Sequence, residues 1–158
     1  DYIAQWQSKG MDASGQHLKL AYDQDGTWSL KYNGYPDRLL GTRLIPDSVA
    51  ALEAAWYAAR KSSYGIELDP RNTYTKLDWE LWTAAWLADY PIAKTLIADG
   101  YNYAHHTADR VPLSDWYQVA SAARAGFQAR PVVGGLFALL TLPQAPGGGA
   151  KPHSGGAG

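Results

Sequence analysis

The chain has 158 residues, 46% hydrophobic and 18% charged, which suits a globular domain or a part of a larger one and excludes a disordered polymer. Its formal net charge of −1 gives no electrostatic footprint for nucleic acid or an anionic membrane, and no apolar run reaches the roughly 18 residues a spanning helix needs. Cysteine is absent, so disulfides, thiolate metal sites and cysteine nucleophiles are excluded.

In chain order, no signal peptide opens the sequence, and residues 1–9 read as the end of a helix. Residues 28–41 place Leu30, Asn33, Asp37 and Leu40 at helical spacing, with Gly34 and Pro36 expected to kink or interrupt the helix. A third helix is predicted over 47–62, with Asp47 as its N-cap after Pro46. Its Val49, Leu52, Trp56, Ala59 stripe and its many alanines suit burial on several sides. Residues 77–88 carry Trp79, Trp82 and Trp86 on one face, and 91–106 begin with Pro91 in a first turn. The apolar run 132–142 completes the helices, and no alternating strand of useful length is visible. The Gly- and Pro-rich stretch 143–158 reads as a disordered, flexible tail, leaving 1–142 to fold.

The connections alternate long and short: 10–27, 42–46, 63–76, 89–90 and 107–131. Short links join antiparallel neighbours, so in an up-down array all three long loops are expected at one end. Long loops of that kind usually carry function. These hold most of the polar and aromatic clusters of a chain with 7 Trp and 11 Tyr but only 2 Phe.

Asp78, in Thr75-Lys76-Leu77-Asp78-Trp79, suits a general acid or base beside an aromatic ring. Thr75-x-x-Asp78 also fits a capping box at a helix start. The Asp115-Trp116 pair echoes Asp78-Trp79, and two facing carboxylates suit hydrolysis, one activating water and one protonating the leaving group. Here too the alternative is local capping, by Ser114 or Asp115. Arg71, Tyr74 and Lys76 form a cluster in which Arg71 could clamp a substrate carboxylate, with Arg130 as a second option. Either arginine could instead tie down loop carbonyls. Tyr32-Asn33 sits at a break that marks a site or a packing kink, and Trp79 is the one tryptophan of its stripe near enough the loop end to act as a platform, with Trp116 as its counterpart. Asp23-x-Asp25-Gly26 reads as a turn rather than a calcium loop, and the adjacent His105 and His106 point apart on a helix, so no metal is called for.

The segments HLKLAYDQDGTWSLKYNGYPDRLLGT, AAWYAARKSSYGIELDPRNTYTKLDWELWTA, RVPLSDWY and GFQARPVVGGLFALL together resemble the fungal glutaminase A family, over most of residues 1–140. That resemblance implies an all-α fold in which helical hairpins form about half of an (α/α)6 toroid, similar to the six-hairpin glycosidases. It implies a long, secreted, extracellular protein whose N-terminal half of the toroid is missing from this chain and is its expected partner. It further implies hydrolysis of L-glutamine to L-glutamate and ammonia; the residues themselves indicate no metal or organic cofactor. No catalytic residue is carried over from the family. The roles of Asp78 and Asp115 as acid and base, and of Arg71 or Arg130 on the α-carboxylate, come from the residues themselves. Two other functions stay open on the same residues: a glycoside hydrolase-like domain acting on or binding carbohydrate, and a non-catalytic structural fragment whose carboxylates are caps.

Overall fold

The computed structural model of the chain describes residues 2–143; the remainder of the predicted tail lies outside the described residues. Five α-helices run through it: α1 (Tyr2–Gly10), α2 (Gly34–Leu40), α3 (Asp47–Ala58), α4 (Leu77–Trp86) and α5 (Pro91–His106). A 3-10 helix, Pro131–Thr141, follows. Two three-residue strands, β1 (Tyr74–Lys76) and β2 (Trp116–Gln118), form a small antiparallel ladder. No described helix is long and apolar enough to cross a membrane.

Helix α4 is the hub, packing against α5, α2 and the 3-10 helix, while α3 packs against α5. The reason is its composition. Leu77, Leu81, Ala84, Ala85 and Trp86 are all buried, so it is apolar on nearly every side. Its two ends serve two clusters. Ala84 and Trp86 join Trp28, Leu30, Tyr57 and Leu96, whereas Leu77 and Leu81 join Tyr103 and Tyr117. Leu139 of the 3-10 helix packs on both.

The 91–106 helix matches the predicted span, and Pro91 stands in its first turn. Six expectations need correction. The helix expected over 28–41 begins only at Gly34, because the Leu30 N–H is taken by the Leu68 carbonyl at 2.8 Å and the Lys31 N–H by the Tyr57 hydroxyl at 2.9 Å. Gly34 lies flat against the Trp86 ring, where a Cβ would collide, and Pro36 falls in the first turn, where its missing N–H costs nothing. Asp47 is the first helical residue rather than the cap; Pro46 holds that position and no side chain caps it. This helix stops at Ala58 rather than 62, and Arg60 beyond it lies over the Trp56 ring at 3.1 Å. The two short strands were not expected at all. The 132–142 run is a 3-10 helix beginning at Pro131, and α4 ends at Trp86 rather than at 88.

The long loops are tied together. Residues 63–76 and 107–131 meet through β1 and β2 and through the Tyr64 N–H on the Val119 carbonyl at 2.9 Å. Residues 10–27 face the 29–34 segment and Asp69–Arg71 across a cleft of about 800 Å³.

Candidate active site

The ladder brings the two Asp-Trp motifs side by side. Its register pairs Tyr74 with Gln118, Thr75 with Tyr117 and Lys76 with Trp116. One residue further on, the Leu77 N–H donates to the Asp115 carbonyl at 2.7 Å. That N–H opens α4 and has no partner within the helix, so the loop carbonyl satisfies it. Asp78 in the first turn of α4 is thereby set beside Asp115.

Both carboxylates are buried, Asp78 at 3% exposure and Asp115 at 0%. Asp78 Oδ1 and both oxygens of Asp115 lack a hydrogen-bond partner among the described residues. Arg130 Nη1 stands 3.3 Å from Asp115 Oδ2, an ion pair without hydrogen-bond geometry. Burial raises the Asp78 carboxyl above the usual carboxylate range, and the charge of Asp115 adds to the rise. The backbone N–H groups of Asp78 and Trp79, and the Lys76 ammonium, oppose it more weakly.

Thr75 does not cap α4, and at the second motif the local cap falls to Ser114 rather than Asp115. Thr75 lies in β1, and its hydroxyl donates to Glu80 Oε1 at 3.0 Å instead of capping α4. No side chain caps that helix. At the second motif Ser114 takes the local turn, accepting the Trp116 N–H at 3.1 Å, which leaves Asp115 free of that duty.

The predicted Arg71, Tyr74, Lys76 cluster is split. Arg71 folds back on Asp69, with Nε and Nη2 at 2.8 and 2.7 Å from the two carboxylate oxygens. It lines the large cleft together with Tyr32, Asn33 and Trp79, and the carboxylate pair does not line that cleft. Tyr74 and Lys76 share the other face of β1. Tyr74 sets its edge against Trp116 with ring centroids 5.1 Å apart. The Lys76 ammonium stands 5.2 Å from the Trp116 ring centroid and 6.0 Å from that of Trp79. Tyr32 leans on Trp79 at 3.8 Å, so Trp79 joins the cleft to the carboxylate side. Asn33 is exposed and caps nothing. Arg130 is on Asp115 and not free for a substrate.

The sequence reasoning missed Glu80. Fully buried, it accepts the Ile66 N–H at 2.6 Å and the Thr75 hydroxyl, fastening β1 to the 62–66 loop. Burial pushes its carboxyl up to about 8. A charged residue in the middle of an otherwise apolar helix was the available signal. Gly135 was missed too: the 3-10 helix crosses α4 so closely there that a Cβ would stand 2.7 Å from Asp78 Cβ. No three or more His, Asp or Glu side chains converge as metal ligands among the described residues.

Comparison with known proteins now decides the family. A profile of the glutaminase A six helical-hairpin domain matches residues 1–140. The chain belongs to the glutaminase A six-hairpin family. It is 40% identical over 152 residues to Glutaminase A of Aspergillus oryzae, covering 90% of this chain and 21% of that protein. It is 33% identical over 175 residues to a probable glutaminase of Arthroderma benhamiae, covering 91% of this chain and 20% of that one. The chain thus spans about a fifth of the length of these curated relatives. No solved structure matches it. Within the glutaminase A six-hairpin fold, α2–α3 and α4–α5 are pairs joined by short links, and β1–β2 clasps the loops on either side of the second pair.

Proposed function

We propose that this chain supplies the acid–base pair of a secreted amidohydrolase that converts L-glutamine to L-glutamate and ammonia. One observation carries the reading: the ladder joins two Asp-Trp motifs distant in sequence and leaves their carboxylates buried and adjacent, with an arginine on one of them. Asp115, which faces Arg130, takes a proton from the attacking water. Asp78, whose carboxyl is raised by burial, gives a proton to the departing nitrogen as the C–N bond breaks. The water oxygen ends in the new carboxyl group, and the amide nitrogen leaves as ammonia. The names of the relatives supply the substrate class.

Asp78→Asn and Asp115→Asn in the full-length protein test this. Each lowers ammonia release by at least about 100-fold while leaving the melting temperature within a few degrees. Secretion is checked by finding the full-length protein in the culture medium. The burial of both carboxylates favours a second reading, in which the pair is a structural strut. It predicts the opposite split, lost stability with retained rate.

A further inference from the structure

Three cations lie near the two Asp-Trp motifs, and the structure engages two of them. Arg71 is bound through two hydrogen bonds to Asp69, and Arg130 is paired with Asp115. Lys76 makes no side-chain hydrogen bond or ion pair among the described residues. Its ammonium rests instead near the faces of two indoles, Trp116 and Trp79. Ring faces hold a cation in place without neutralising it, so its three donors stay available.

The placement is rigid. Lys76 closes β1 opposite Trp116 and stands two residues before Asp78, between a ladder and the first turn of α4. Tyr74 and Lys76 share one face of the strand, while the buried Thr75 points to Glu80 on the other. Charge completes the argument. Asp115 and Arg130 are paired with each other, and no carboxylate among the described residues stands within ion-pair distance of the Lys76 ammonium. A neutral sugar has no use for that charge, whereas a carboxylate matches it.

On the amidohydrolase reading, we infer that Lys76 is the residue that selects the substrate, taking the α-carboxylate of the amino acid. This reassigns a role expected of Arg71 or Arg130. The carboxylate end then lies over the Trp79–Trp116 pair and the side-chain amide reaches toward Asp78 and Asp115.

The test is a steady-state comparison in the full-length protein of L-glutamine and its α-(N-methylamide), which lacks the α-carboxylate, with ammonia as the readout. The wild-type protein has a KM for the N-methylamide at least about tenfold above that for L-glutamine. Lys76→Met raises the L-glutamine KM to the same level, leaves the N-methylamide KM and both kcat values within about threefold, and Lys76→Arg recovers part of the difference. Equal wild-type KM values for the two compounds overturn the assignment without any variant. Equal losses on both compounds in Lys76→Met overturn it as well, since they mark a merely structural role. A wild-type protein that releases no ammonia from L-glutamine overturns the amidohydrolase reading itself, and the role of Lys76 with it.

Discussion

Glu80 and Asp78 sit two residues apart on α4, and burial raises both carboxyls. Glu80 moves further, from the usual 4.5 to about 8. The folded chain therefore keeps a proton there over a range in which the unfolded chain has already lost it. The associated stability is fully present below about pH 4.5 and is lost as pH rises to about 8. At its steepest the loss approaches about 1.4 kcal/mol per pH unit. Glu80→Gln keeps an acceptor for the Ile66 N–H and the Thr75 hydroxyl but removes the titration. Thermal melts from pH 4.5 to 8 should thus show a falling melting temperature in the parent and a flatter curve in the variant. An equal slope in both would exclude Glu80 as the source. Lys76 shows the same lesson in reverse: sequence names a cation, but only its surroundings say whether it is already spent.

Two glycines of the 3-10 helix make an internal control for how closely that element is held to α4. A Cβ on Gly135 meets the Cβ and Cα of Asp78 at 2.7 and 2.9 Å, while one on Gly134 meets nothing within 4 Å. Gly135→Ala is expected to cost about 1–3 kcal/mol by overpacking, and Gly134→Ala less than about 0.5 kcal/mol. Differential scanning calorimetry of the pair measures the difference, and equal effects would exclude a tight crossing at Gly135. Long elements with strong patterning were legible in advance. The 91–106 helix was, and so was the hub helix with its three tryptophans. The 28–33 stretch was not, because its helical spacing of Leu30 and Asn33 loses to backbone N–H bonds donated to Leu68 and Tyr57, acceptors far along the chain. Three-residue strands hold too few residues to show a period of two, so β1 and β2 could not be read. The echo of Asp-Trp was visible, yet the pairing that makes it a candidate site is tertiary.

At the scale of the whole chain, α4 supplies side chains to both hydrophobic clusters and Leu139 touches each. Neither cluster can melt without exposing the other. Trp28, Trp86, Tyr57, Tyr103 and Tyr117 are distributed between them, so near-UV circular dichroism reads both. One cooperative transition is expected, coincident with the far-UV signal. Two resolved steps would show that the clusters are separate folding units. The β1–β2 clasp has one more consequence, and it concerns ancestry. The chain departs at Lys76 and comes back at Trp116 beside it, so α4 and α5 form an excursion that starts and finishes at one point. Residues gained or lost at the far bend, 87–90, alter the length of that excursion and leave the two aspartates as neighbours. The gap between the motifs along a sequence is then free to drift through descent while their separation in space is not. A search for distant kin should accordingly ask for two Asp-Trp pairs divided by a hairpin of any length, not by a fixed count.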